Sequence, residues 1–107
     1  MLKHSPALLA LIISCPVIAM AEVPDAERQA QLLYLLKHDC GSCHGMTRKG
    51  GLGPALLPEN LHDFPVEFLV TTILDGRPGT PMPPWRGELS DADAQWLVEA
   101  LNRGEGL

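Results

Sequence analysis

The stretch HDCGSCHGMTRKGGLGPAL, residues 38–56, places Cys40, Cys43 and His44 in one C-x-x-C-H run and follows it with Gly53-Pro54. In an exported chain, two thiols at this spacing can add to the vinyl groups of a haem while the adjacent imidazole binds the iron. The run therefore predicts Cys40 and Cys43 as thioether anchors and His44 as the proximal iron ligand.

Three other uses of the two thiols remain open from this run alone: a Cys40–Cys43 disulfide, a thioredoxin-like dithiol, and half of a zinc site. A dithiol oxidoreductase is expected beside a βαβ pattern, which the sequence does not show. A zinc site would need two more ligands, and the chain has no second Cys/His pair.

The N-terminus has the three-part pattern of a secretory signal peptide. A basic start is followed by an apolar run from Ala7 to Ala19 and by Ala19-Met20-Ala21, which predicts a signal peptide over 1–21 with cleavage after Ala21. The segment from Ala7 to Ala21 has 15 residues, is broken by Pro16 and is shorter than the roughly 20 residues that span a bilayer. Lipid modification of Cys15 and a retained anchor are the alternatives. Export predicts a periplasmic location.

The predicted mature domain, residues 22–107, is a single domain of 86 residues. Chains of this size bury a modest core and often need an internal staple. Its 13 acidic side chains outnumber seven Lys and Arg, which opposes binding to phosphate backbones. The charge therefore argues against nucleic acid as a partner. We also expect a monomer that is not attached to a membrane in its mature form.

Three helices are predicted, at about residues 25–38, 65–75 and 90–104. Asp25 is the expected N-cap of the first helix, and Ser90 with Asp93 forms a shortened capping box for the third. No segment shows the sustained alternation of a strand.

The second predicted helix has Pro65 in its first turn, Asp63 or Phe64 as its expected N-cap, and Gly76 at its end. The segments between the helices are rich in Gly and Pro and are long for an ordinary small domain. We expect a bound group to organise them.

The chain resembles the small class I cytochromes c over nearly all of residues 25–103. The matching pieces are the helix before CGSCH, the GLGPAL loop, the helix ending in Gly76, the GTPMPPW loop and the closing helix LSDADAQWLVEAL. The resemblance implies an all-α fold, with three main helices and Gly/Pro-rich loops around one covalently bound haem c. In that family the proline carbonyl of a Gly-Pro pair accepts a hydrogen bond from the proximal histidine, a role that falls on Pro54.

Four residues of the mature chain are candidates for the distal ligand. Met46 and His38 lie so close to the C-x-x-C-H run that they stay on the proximal side. Met82 lies between two prolines, which hold the backbone extended and remove competing donors. The resemblance also places the distal methionine in such a loop, so Met82 is the predicted ligand and His62 is the alternative.

Two axial ligands would leave the iron no open position for a substrate, which predicts an electron carrier and not an enzyme. The CGSCHGMTRKGGLGPAL loop and especially the LDGRPGTPMPPW loop are similar to those of small periplasmic cytochromes c encoded with cytochrome cd1 nitrite reductase in denitrifying bacteria. This resemblance implies electron transfer from an upstream donor to nitrite reductase, or in steps of d1 haem maturation. The alternatives are a general shuttle to several terminal oxidases or reductases and, more remotely, a dithiol oxidoreductase.

Charged and aromatic side chains suggest how the haem is surrounded. A comparatively basic rim is expected from Lys37, Arg48, Lys49, Arg77 and Arg86. The aromatic residues are expected to pack: Trp85 beside the haem, and Trp96 and Tyr34 between the first and third helices.

Overall fold

The computed structural model describes residues 2–16 and 22–105. Residues 2–16 form neither helix nor strand, and the cleavage site predicted after Ala21 lies outside the described residues. Within those two ranges, no helix combines the length and the apolar character needed to cross a membrane.

Helices are the regular secondary structure of residues 22–105, and neither described range contains a strand, so the all-α prediction is confirmed. The elements in chain order are α1 (Ala26–Leu35), a π turn (Leu36–Cys40), α2 (Gly41–His44), α3 (Pro58–Leu61), α4 (Val66–Asp75) and α5 (Asp91–Asn102). Two long segments separate them: residues 45–57, here called the Gly-Pro loop, and residues 76–90, here called the methionine loop.

The first helix is longer than predicted. Asp25 caps α1 by accepting a hydrogen bond from the Arg28 backbone N–H at 2.8 Å, as expected. The chain does not leave the helix near residue 38, because the Gly41 N–H bonds to the Leu36 carbonyl and the π turn continues into α2. The C-x-x-C-H run is therefore held in helical backbone.

The caps of the later helices were only partly predicted. The capping box of α5 is present: Ser90 Oγ accepts from the Asp93 N–H at 3.0 Å, and Asp93 accepts from the Ser90 N–H at 3.1 Å. The expected cap of α4 is wrong, because Pro65 is the N-cap residue and no side chain bonds to the helix start. The short helix α3 was not predicted at all.

The core lies where α5 packs on α1, α3 and α4. Its buried members are mostly aliphatic: Leu32, Leu36, Leu61, Leu74, Leu89, Ala94, Trp96, Leu97, Ala100 and Leu101. An ion pair connects α1 to the start of α5: Arg28 Nη2 lies 2.8 Å from Asp93 Oδ2. Tyr34 does not share in this packing; it is 67% exposed and contacts the His38 ring instead.

Candidate functional site

A cavity of about 670 Å³ lies between the helices and the two loops. This volume falls in the range of small-molecule and cofactor sites. The residues predicted to form the site all line it: Cys40, Cys43, His44, Pro54 and Met82. Most of the remaining wall is apolar, contributed by Leu36, Leu52, Ala55, Leu56, Leu61, Phe64, Phe68, Leu69, Ile73, Trp85, Leu89, Leu97, Val98 and Leu101.

The two thiols of the C-x-x-C-H run are free and partly buried. Helical backbone brings positions three apart to the same side of the helix, so Cys40 and Cys43 both reach the cavity. Burial, reinforced by the nearby Asp39 carboxylate, raises the pKa of Cys40 to about 11. A reactive dithiol needs a lowered thiol pKa, so this environment disfavours the dithiol oxidoreductase alternative.

The imidazole of His44 is fixed from two directions. Its Nδ1–H donates a hydrogen bond to the Pro54 carbonyl oxygen at 2.7 Å, which leaves Nε2 as the electron-pair donor. Gly53 packs against the ring so closely that a Cβ at that position would lie 2.8 Å from both Cε1 and Nδ1. The GP pair thus supplies both the orienting bond and the space for the ring.

The backbone of the Gly-Pro loop folds back onto α2. The Gly50 N–H donates to the His44 carbonyl and the Gly53 N–H donates to the Cys43 carbonyl, each at 2.8 Å. Gly45 has φ +92°, and a Cβ there would lie 2.8 Å from the Gly50 carbonyl oxygen. Glycine is required because the loop backbone passes so close to the end of the helix.

Met82 reaches the same cavity from the methionine loop. The Arg77 N–H donates to the Met82 carbonyl at 3.2 Å, and the Met82 N–H donates to Thr80 Oγ1 at 3.3 Å. Gly76, with φ +67°, lies against the following backbone, and a Cβ there would be 2.7 Å from the Pro83 carbonyl carbon and the Pro84 nitrogen. These contacts hold the loop backbone near Met82, and none of them involves the Met82 sulfur.

The other distal-ligand candidates lie outside the cavity wall. His62 is exposed, with Nδ1 3.0 Å from the Pro58 carbonyl oxygen and Nε2 3.3 Å from Asp63. His38 contacts Tyr34, and Met46 is half exposed. In residues 2–16 and 22–105, no three or more His, Cys, Asp or Glu side chains are grouped so that they could hold a metal ion.

Sequence reasoning missed several features of the site. Phe64 and Phe68 stack with ring centroids 5.4 Å apart and line the cavity; their spacing of four residues is the signal that could have revealed the pair. Trp85, for which plain packing and covering a haem edge were the two expectations, lines the cavity. Arg48 is 1% exposed and Arg86 pairs with Asp75, so the basic rim is smaller than predicted.

The residues present fit a haem. The apolar wall suits a porphyrin face, and the two free thiols suit covalent attachment. The imidazole of His44 and the thioether of Met82 line the same cavity, and both groups are known axial ligands of haem iron. The hydrogen bond to Pro54 already directs the free nitrogen of the imidazole.

Comparison with known proteins agrees with this fit. Residues 25–99 match a family model described as cytochrome c oxidase, cbb3-type, subunit III. Cytochrome c55X of Pseudomonas aeruginosa is 61% identical over 91% of this chain and 82% of its own length. The solved structure of a c-type cytochrome NirC is 65% identical with a TM-score of 0.75, over 77% of this chain and 96% of that one.

A third relative is larger. The dihydro-haem d1 dehydrogenase of Pseudomonas aeruginosa is 38% identical over 88% of this chain, but the match covers only 18% of that protein. The family model and the two small relatives cover most of the described helical region. The chain therefore belongs to the c-type cytochromes, as a monohaem electron carrier with one covalently bound haem c.

Proposed function

We propose that this cavity holds the haem, with Cys40 and Cys43 as thioether anchors, His44 as proximal ligand and Met82 as distal ligand. One observation carries the assignment: among the histidines and methionines of residues 2–16 and 22–105, only His44 and Met82 line the cavity that also contains both thiols. The spacing of the C-x-x-C-H run supports the same assignment.

Each residue has a distinct part in this function. The Pro54 carbonyl holds the proton on Nδ1 of His44 and so presents Nε2 to the iron. The apolar wall excludes water, and a thioether ligand from Met82 favours the ferrous state relative to a second imidazole. Bound haem supplies one-electron chemistry, and two protein ligands leave it no position for a substrate.

Substitution of the predicted distal ligand tests the assignment. Met82→Ala is expected to keep the covalent haem but to remove the ferric iron–methionine absorption band, lower the reduction potential, and allow carbon monoxide to bind the reduced iron. His62→Ala is the matched control and should leave all three properties unchanged. A spectrum that responds to His62→Ala and not to Met82→Ala would reverse the ligand assignment, and a colourless wild-type protein would refute the haem site.

We infer that the carrier works in the periplasm, after removal of residues 1–21, and delivers electrons from an upstream donor to cytochrome cd1 nitrite reductase. The resemblance of its two loops to cytochromes encoded with that enzyme supports this role, as does its similarity to cytochrome c55X and NirC. Transfer through an exposed haem edge requires only the site residues already named.

A second role is favoured by the match to dihydro-haem d1 dehydrogenase. A chain that resembles part of such an enzyme could accept electrons during the oxidation of a d1 precursor. The carrier would then act during maturation of the reductase and not on the finished enzyme.

A strain lacking this protein separates the two roles. If the carrier is the electron donor, reductase isolated from the strain has its full d1 content and the cells reduce nitrite more slowly. If the carrier acts in maturation, the isolated reductase keeps its own c haem but is short of d1, and added donor does not restore activity. Normal d1 content together with normal nitrite turnover would contradict both roles and favour the general shuttle.

A further inference from the structure

Arg77 differs from the other arginines of the described chain. Arg28, Arg86 and Arg103 each form an ion pair with a nearby carboxylate at 2.8 Å. Arg48 is buried and has interactions of its own. In residues 2–16 and 22–105, the Arg77 guanidinium makes no hydrogen bond or ion pair, and Arg77 is exposed at the wall of the cavity.

The cavity offers little else to balance a negative charge. Among the residues that the structure describes, the Asp, Glu, Lys and Arg side chains that line it are Asp39 and Arg77, and Asp39 carries the wrong sign. A haem brings two carboxylates, and a carboxylate that loses water contacts is costly unless a partner replaces them. A guanidinium is the side chain best suited to this partnership, because its planar fork can bind both carboxylate oxygens.

We propose that Arg77 binds a carboxylate of the haem and thereby connects the haem edge to the loop that carries Met82. The proposal rests on the proposed function, in which this cavity holds the haem. The backbone supplies the second half of the connection, because the Arg77 N–H bonds to the Met82 carbonyl and the Arg77 carbonyl accepts from Thr80 Oγ1 at 2.6 Å.

This contact has an electrostatic consequence that can be measured. An added electron makes the haem site more negative, and a guanidinium paired with the carboxylate offsets part of that charge, so it favours the ferrous state. The same pair holds the carboxylate ionised. The potential should therefore change little with pH near neutrality, because few protons are taken up on reduction.

Arg77→Met tests the contact, with Lys49→Met as the matched control. Lys49 is exposed, lies in the Gly-Pro loop and does not line the cavity, so both variants remove one positive charge from a loop near the site. We expect Arg77→Met to shift the one-electron equilibrium about tenfold towards the ferric form, which is about 59 mV. Lys49→Met should shift it by less than twofold, and Arg77→Lys should lie between the two.

The pH profile and the optical spectrum distinguish this contact from a purely structural role. In Arg77→Met the pH range over which the potential falls with rising pH should move to higher pH, while the ferric iron–methionine absorption band persists. Equal shifts for Arg77→Met and Lys49→Met with unchanged pH profiles would overturn the proposal. Loss of the methionine band together with the fall in potential would also overturn it, since Arg77 would then only support the loop.

Failure of the underlying haem assignment would be recognised separately. In that case wild-type protein lacks a c-type spectrum, or Met82→Ala has no effect on it, whatever the behaviour of Arg77→Met.

Discussion

The Gly-Pro loop and the methionine loop hold their candidate ligands in different ways. His44 lies at the end of a helix, and its side chain is fixed directly by the Pro54 carbonyl at 2.7 Å and by Gly53 against its ring. Met82 does not lie in a helix, and its hydrogen bonds are made by its backbone N–H and carbonyl groups. The proximal imidazole is thus oriented by direct contacts to its ring, whereas the position of the distal sulfur depends on the path of its loop. This difference predicts that damage to the distal side leaves the haem attached.

The largest effect is expected from Gly53→Ala. The new methyl group would lie 2.8 Å from two atoms of the His44 ring, which cannot move aside without breaking its bond to the Pro54 carbonyl. We expect the yield of haem-loaded protein to fall at least tenfold, as measured by haem absorbance per polypeptide. Gly87→Ala is the control, because a Cβ there meets no atom within 4 Å. Near-normal loading of Gly53→Ala would show that the ring is not held as tightly as the contacts imply.

Gly76→Ala should have an intermediate effect that is confined to the distal side. Its Cβ would lie 2.7 Å from the Pro83–Pro84 peptide, so the methionine loop must move away from α4. Haem content should stay normal while the iron–methionine band weakens and carbon monoxide binds the reduced protein.

Gly79→Ala is a sharp control for that variant. Gly79 also has a positive φ, +80°, but a Cβ there meets nothing within 4 Å. Both substitutions place a side chain at a positive φ, and only Gly76→Ala adds the clash; with ψ −168°, Gly76 also lies in a region nearly restricted to glycine. Equal loss of the methionine band in the two variants would show that backbone strain, and not the clash with the Pro83–Pro84 peptide, displaces Met82. It would then contradict the view that the path of the methionine loop fixes the sulfur.

The smallest effect on the haem is expected from Asp93→Asn, which changes the scaffold and neither loop ligand. The ion pair with Arg28 lowers the pKa of Asp93, so its contribution to stability is present above the unfolded value of about 3.9 and is lost as the pH falls through the lower folded value. We expect a loss of about 1–3 kcal/mol at neutral pH in denaturant unfolding, with a weaker dependence on acid pH.

Asp91→Asn provides the comparison within the same helix. Asp91 is exposed and lies 3.8 Å from Arg86, a separation at which a surface ion pair contributes little. If Asp91→Asn lowered the free energy of unfolding as much as Asp93→Asn does, the charge at the start of α5, and not the contact between α1 and α5, would explain the loss of stability. Neither variant should change the ligands of the iron.

The sequence predicted those parts of the molecule that depend on local signals. The C-x-x-C-H run, the end of α4 at Gly76 and the capping box at Ser90 follow from neighbouring residues, and the last two were confirmed in the structure. The π turn and the missing cap at Pro65 were not predicted, because both result from how the chain packs beyond the local pattern. The burial of Arg48 likewise depends on tertiary contacts, since a charged loop residue is ordinarily exposed.

The close approaches of Gly53 and Gly76 lay beyond sequence reasoning for a similar reason. Gly76 was read correctly as a helix stop, but its contact with the Pro83–Pro84 peptide involves residues seven and eight positions away. The pairing of Arg86 with Asp75 was missed because it joins the methionine loop to the end of α4 across a turn of the chain. To predict each of these contacts, one must know where the Gly-Pro loop or the methionine loop folds back onto the rest of the chain.

The π turn at Leu36–Cys40 has a consequence for how this chain can change length. A π turn acts as a single extra residue within an α-helix, and one residue of α-helix corresponds to a rotation of about 100°. Removing one residue between Leu36 and Cys40 would therefore restore regular α-helical pitch and leave the C-x-x-C-H run facing nearly the same way relative to the Leu32–Leu36 face that packs in the core, whereas removing a second residue would rotate the run. The π turn can thus take up a change of one residue but not of two, so we expect haem loading to survive a single-residue deletion here and to be lost after a two-residue deletion.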